Sequence, residues 1–269
     1  MKVVILAGGH GTRISEETAV RPKPMVEIGR RPIIWHIMKC YAHFGLRDFV
    51  VCCGYRGEVL KDYFLNYALR EADLTVDIAT GEVEVSRVGS EPWRVTLVDT
   101  GLHSMTGGRV ARVREHLDEE TFCLTYGDGV SDVDISRLVD FHRQEGATVT
   151  LTAVQQPSRF GTIVLESGEH RITSFTEKPR PDGTSDEAWI NGGFFVVEPE
   201  ALDQVEGDDT VWERGPLTKL AANGQLAAYR HRGFWQPMDT LRDLHVLEDL
   251  WHSDDPPWAV WLDGQSDSP

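Results

Sequence analysis

Apolar positions along the chain come in two forms, short unbroken runs and stripes at helical spacing. Val3 to Leu6 is a run that stops at glycine, as a buried strand does. From Pro32 onward, Ile34, Ile37, Met38, Tyr41 and Phe44 recur at helical spacing, with Pro32 in the first turn and Gly45 as the C-cap. A strand over Phe49–Cys53 follows, then a helix over Gly57–Leu69 with Leu60, Tyr63, Phe64 and Tyr67 on one face. Val83, Val85 and Val88 lie in an alternating stretch. The pattern then predicts strand Val95–Val98, a helix around Arg109–Leu117, strand Phe122–Tyr126, helix Ile135–Gln144 and strand Thr148–Val154. Beyond Val154 it turns hairpin-like, with Thr162–Leu165 and Arg171–Thr176 flanking Glu166-Ser167-Gly168-Glu169. Two more helices are expected, Trp212–Ala222 and Leu241–Trp251.

Regular β–α alternation predicts an α/β fold: a mostly parallel mixed sheet flanked by helices, with smaller β-hairpin additions. Neither a repeat nor a linker interrupts the pattern, so 1–269 reads as a single domain. Ligands of such sheets sit beyond the carboxyl ends of the strands, where the polar loops Gly8–Arg13 and Tyr126–Gly129 fall.

Charge narrows the function classes. The chain has 43 acidic and 27 basic side chains, a formal charge of −16, which disfavours a dedicated nucleic-acid binder. The imbalance is uneven: residues 1–40 hold seven Lys or Arg against three acids, while Glu248 to Pro269 holds six acids and no Lys or Arg. An anion site near the N-terminus and a solvated acidic tail are the corresponding expectations. No apolar run approaches the ~20 residues that span a bilayer, and the run before Gly8 is too short for a secretory signal, so no membrane role and a cytoplasmic location are expected. Cys40, Cys52, Cys53 and Cys123 lack metal-ligand spacing and sit in apolar surroundings, as buried free thiols do.

Three glycines in Leu6-Ala7-Gly8-Gly9-His10-Gly11-Thr12-Arg13 let backbone N–H groups approach a phosphate, although a tight turn explains them equally well. The stretch lacks the Lys-Ser/Thr ending of a Walker A loop and the spacing of a dinucleotide fingerprint. In Arg21-Pro22-Lys23-Pro24-Met25, two prolines pre-position a cation. Asp128 lies between glycines after an apolar strand, and Asp239 follows an aromatic-rich run. Two such carboxylates suit Mg²⁺, which takes one or two carboxylates together with phosphates and waters. Glu177-Lys178-Pro179 and Asn191-Gly192-Gly193-Phe194 could receive a sugar phosphate, or be a strand end and a turn. Trp235 is the tryptophan placed to border a ligand; Trp35, Trp93, Trp212, Trp251, Trp258 and Trp261 read as packing residues.

Taken together, Gly8–Arg13, Pro22-Lys23-Pro24-Met25 and Val26-Glu27-Ile28-Gly29 resemble the signature of the sugar-phosphate nucleotidyltransferases. Ser15–Thr18, Trp35–Lys39, Cys52–Tyr55, Ser104–Arg109, Tyr126–Val130 and Gly233–Thr240 extend the resemblance to about residue 250, closest to its cytidylyl-transferring branch. The resemblance implies a Rossmann-like fold, with 1–155 mainly binding nucleotide, 156–250 mainly binding sugar phosphate and supplying the second metal ligand, and 251–269 as a tail. It implies transfer from CTP to a hexose 1-phosphate, expected to be α-D-glucose 1-phosphate, with Mg²⁺ on Asp128 and Asp239. By the same resemblance Arg13, Lys23 and Asp128 act in catalysis, and Leu6, Ala7, Gly8, Gly9, Gly11, Thr12, Ser104, Thr106, Gly107, Arg109 and Gly127 hold the nucleotide. Glu177, Lys178, Asn191, Gly192, Gly193 and Trp235 face the sugar phosphate. A homo-oligomer, a hexamer among the possibilities, is also implied. UTP or dTTP as donor, and a catalytically silent nucleotide-sugar-binding protein, remain alternatives. His10, Arg30-Arg31 and the loop Asp182 to Ala188 depart from the family pattern, the first two near the phosphates and the third on the sugar side.

Overall fold

The computed structural model describes the chain apart from residues 10, 12–13, 156–161, 166–171, 177–188, 254 and 263–269. Its centre is a nine-stranded sheet in which Phe122–Tyr126, Val3–Leu6, Asp48–Cys53 and Arg94–Asp99 run parallel in that spatial order. Val3 lies opposite both Phe49 and Cys123. Alternation along these buried strands separates two cores. Val3, Ile5, Phe49, Val51 and Cys123 pack on one face, and Val4, Leu6, Val50, Cys52, Phe122 and Leu124 on the other. Because both faces of the inner three strands are covered, they read as apolar runs, which is why sequence finds them, while the outer strand Arg94–Asp99 is only half-buried.

The second half of the sheet is mixed. Strand Trp189–Val197 runs antiparallel to Phe122–Tyr126 on one side and to Val149–Gln155 on the other. The latter pairs in parallel with Leu226–Arg230, while the hairpin Thr162–Leu165 and Ile172–Thr176 continues the edge. Neither Trp189–Val197 nor Leu226–Arg230 is among the strands expected from sequence. The first contains Asn191-Gly192-Gly193, which reads as a turn but is a β-bulge: the register skips between Leu151 and Ala153 of its partner. Leu226–Arg230 is short and has no β-branched residue to mark it.

Several helix boundaries also move. The expected Gly57–Leu69 helix divides into Gly57–Leu65 and Tyr67–Arg70 at Asn66, whose amide donates to the Asp62 carbonyl at 2.9 Å. Around Arg109 the helix is Thr106–Arg112, followed by a 3₁₀ turn over Arg114–His116. The expected helix from Trp212 begins instead at Pro216.

Among the described residues three ribbons lie off the main sheet, the shortest pairing Glu27–Ile28 with Arg31–Pro32. Gly129–Ser131 pairs antiparallel with Trp235–Pro237. Ala72–Val76 pairs with Val83–Val88, placing Leu74 opposite Val85 and Val76 opposite Val83 on one face; all four are 44–54% exposed. Near the C-terminus Trp258 and Trp261 are buried as packing residues, ringing His36 together with Trp251. His36 Nε2 lies 2.9 Å from the Ile28 carbonyl, and burial lowers its pKa to about 4. The four cysteines are buried free thiols, and burial raises Cys40 and Cys123 to about 12.

Candidate active site

A cavity of about 470 Å³ opens beyond the carboxyl ends of Val3–Leu6 and Phe122–Tyr126, on either side of the point where the order of parallel strands reverses. The first wall follows from the opening strand. Ala7 N–H donates to the Cys52 carbonyl at 3.1 Å, so the chain leaves the sheet late, and Leu6, Ala7, Gly8, Gly9 and Gly11 line the cavity. Gly11 turns with φ +61°, a conformation that favours glycine. At the facing strand, Gly127 N–H donates to the Leu6 carbonyl at 3.0 Å; a Cβ there would stand 2.7 Å from that oxygen. Glycine at 127 is therefore required for the two loops to meet.

The next residue, Asp128, meets two partners brought from far away in sequence. Lys23 is held in a 3₁₀ turn over Lys23–Met25 between its prolines. Asp239 stands one residue before the Thr240 N-cap of helix Leu241–Trp251, its backbone N–H donating to Asp243 at 3.1 Å. The ribbon of Gly129–Ser131 with Trp235–Pro237 joins the two loops, and Met238 N–H donates to the Asp128 carbonyl at 2.8 Å. Lys23 Nζ donates to Asp128 Oδ2 at 2.7 Å and to Asp239 Oδ1 at 2.6 Å. Burial works against the ammonium charge, but the two carboxylates outweigh it and hold the Lys23 pKa above its usual 10.5.

This arrangement also tests the expected metal. Among the described residues, no group of three or more His, Cys, Asp or Glu is placed to hold an ion by itself. A pair of carboxylates already gathered around one cation fits a divalent ion that draws its other ligands from phosphate and water.

Sugar-side residues lie on the bulge. Asn191, Gly192 and Gly193 line the cavity with Trp235, whose indole N–H donates to the Gly192 carbonyl at 2.6 Å. Gly193 has φ +81°, and a Cβ there would lie 2.5 Å from the Tyr126 ring. Ser104 and Thr106 also line the cavity, together with Met105 between them.

Two expected nucleotide residues do other work. Gly107 does not line the cavity: its N–H donates to the Thr210 carbonyl at 2.9 Å, and that oxygen would touch a Cβ at 2.8 Å. Arg109 reaches the wall, but its guanidinium donates to Thr100 Oγ1 at 2.8 Å and to the Gly101 carbonyl at 2.7 Å. It braces the backbone behind Gly8 and Gly54, where a Cβ on either glycine would collide with it. The departure at Arg31 also resolves: it pairs with Glu71 (Nη2 to Oε2, 2.7 Å) and stacks on Trp35, away from the cavity lining. His10, Thr12, Arg13, Glu177, Lys178 and the loop Asp182 to Ala188 lie outside the described residues.

Comparison with known proteins agrees with this geometry. A model of the nucleotidyl transferase family matches residues 2–251. Glucose-1-phosphate cytidylyltransferase of Salmonella typhi is 55% identical over 262 residues, 97% of this chain and 100% of the relative. A probable glucose-1-phosphate cytidylyltransferase of Bacillus subtilis (strain 168) is 42% identical over 97% of this chain and its own full length. Among solved structures, a UDP-glucose pyrophosphorylase from Acinetobacter baumanii superposes with a TM-score of 0.75 at 18% identity, covering 97% of this chain and 96% of that one. At that identity the likeness bears on fold alone.

Proposed function

This chain belongs to the nucleotidyl transferase family, and from that premise we propose that it transfers a cytidylyl group from CTP to α-D-glucose 1-phosphate, releasing CDP-glucose and pyrophosphate. The observation that carries the reading is the meeting of Lys23, Asp128 and Asp239 on the floor of a glycine-walled cavity. The near full-length similarity to glucose-1-phosphate cytidylyltransferases supports the choice of both substrates.

The acceptor needs no general base. A phosphate monoester has a second pKa of about 6, so at neutral pH its oxygen is already anionic. The protein's task is to hold mutually repelling anions in line, by position and fixed charge. In this reading Asp128 and Asp239 hold Mg²⁺, which supplies charge neutralisation at the triphosphate. Arg13 and Lys23 draw the phosphates, while the backbone of residues 8–12 follows them. Ser104 and Thr106 border the nucleoside. Asn191 and the bulge glycines admit the pyranose closely, Glu177 accepts from its hydroxyls, and Lys178 meets its phosphate. Trp235 closes that side.

A cytoplasmic homo-oligomer completes the proposal. Four reduced, buried thiols suit a reducing compartment. The apolar face of the Ala72–Val76 and Val83–Val88 hairpin suits contact with a second copy.

Product identification with Mg²⁺, a panel of hexose 1-phosphates and each of CTP, UTP, dTTP and ATP tests the reading. CDP-glucose is the expected main product. A higher kcat/KM with UTP or dTTP would transfer the assignment to that nucleotide, and binding without pyrophosphate release would point to a silent sensor.

A further inference from the structure

Behind the cavity wall, Glu213 is buried at 8% exposure and takes no place in the lining. A carboxylate removed from water is costly unless both oxygens find donors. Those of Glu213 do, and both donors come from residues that line the cavity. Thr106 Oγ1 donates to Oε2 at 2.9 Å, and the Tyr126 hydroxyl donates to Oε1.

Hydrogen-bond directions then become fixed outward from the carboxylate. Thr106 spends its hydroxyl proton on Glu213, and its oxygen accepts from the Trp212 N–H at 2.9 Å. Tyr126 likewise gives its proton to Glu213, so its oxygen can only accept, and Asn191 Nδ2 donates to it at 3.1 Å. That choice orients the Asn191 amide, whose Oδ1 accepts from the Gly193 N–H at 2.9 Å. One acceptor-only group thus dictates the polarity of a nucleotide-side hydroxyl and a sugar-side amide.

The geometry points to Glu213 as a positioning residue that ties the two substrate subsites together, acting on the nucleotide through Thr106 and on the hexose phosphate through Tyr126 and Asn191. It rests on the substrate assignment above. A glutamine at 213 has one oxygen and one NH₂ group, so it can accept from Thr106 or from Tyr126 but not from both. One arm must reverse its polarity, even though shape and volume are preserved.

Steady-state kinetics of Glu213→Gln, Tyr126→Phe and the double variant test this, with thermal unfolding measured alongside. Tyr126→Phe cuts the sugar arm: KM for glucose 1-phosphate rises about tenfold and KM for CTP stays within twofold. Glu213→Gln raises KM for at least one substrate about tenfold while Tm falls by no more than a few degrees. In the Tyr126→Phe background it adds less than twofold to the glucose 1-phosphate KM. Glu213→Gln leaving both KM values within twofold overturns the proposal, as does a glucose 1-phosphate effect that multiplies with that of Tyr126→Phe. If the unsubstituted protein makes no CDP-glucose, the substrate assignment itself falls, and the two failures are told apart by that control.

Discussion

The Lys23 ammonium lies 2.7 Å from Asp128 Oδ2, so the cation expected to meet the triphosphate rests on the carboxylate expected to hold the metal. With Asp239 on its other side, the lysine occupies the space between the two carboxylates. A divalent ion held by these carboxylates would compete with the lysine for the same oxygens until phosphate offers the ammonium another partner. Lys23→Met should bind Mn²⁺ without nucleotide roughly tenfold more tightly than the unsubstituted protein, measured by electron paramagnetic resonance titration. Equal affinities would remove the competition. Turnover of the same variant should fall at least ~10²-fold, the scale of losing one preorganised charge partner.

Asp128→Asn isolates the carboxylate. The side chain keeps its shape, and the backbone carbonyl that receives Met238 N–H is untouched, so the fold should persist. Pyrophosphate release should drop by at least ~10²-fold. A folded variant with near-normal release would end the metal assignment.

His36 makes stability depend on pH. Its folded pKa, lowered by burial to about 4, lies below the ordinary value of 6.5, so the unfolded chain takes the proton first as pH falls. Its contribution is complete above pH 6.5 and is lost progressively down to about pH 4. Between pH 6.5 and 5 the loss approaches about 2 kcal/mol. Urea unfolding of His36→Gln should show a shallower decline over that window. A slope equal to that of the parent protein would mean that His36 titrates normally.

The hairpin Ala72–Val76 with Val83–Val88 gives a test of assembly. Two strands alone are marginal in water, and this pair leaves an apolar face uncovered by its own chain. Leu74→Asp combined with Val85→Asp should lower the mass seen by analytical ultracentrifugation without unfolding the sheet. An unchanged assembly would locate the subunit contact elsewhere.

Much of this architecture was legible in sequence, for identifiable reasons. The three inner parallel strands carry buried residues on both faces and read as apolar runs; the loops at the ends of Val3–Leu6 and Phe122–Tyr126 carry the glycines that backbone contact requires. Lys23, Asp128 and Asp239 could be nominated from their turns, but their mutual contact could not, because Lys23 and Asp239 are 216 residues apart. Asn191-Gly192-Gly193 could be a sugar-side motif or a turn, and it forms a bulge that lines the cavity. Glu213 left no local signal, since its partners Thr106 and Tyr126 come from other elements. Trp258 and Trp261 read as packing residues and are core, although the acidic segment that carries them reads as a solvated tail.

The short ribbon between Gly129–Ser131 and Trp235–Pro237 has a bearing on biosynthesis of the protein itself. Asp128 is made early, but the strand that brings Asp239 to it leaves the ribosome more than a hundred residues later. A prematurely ended chain that stops before Trp235 keeps its glycine loop and its lysine while lacking the second carboxylate. Such a fragment also loses Met238, Leu244, Leu247, Trp258 and Trp261 from the core, so the late ribbon and the helix after it make both packing and catalysis conditional on a finished polypeptide.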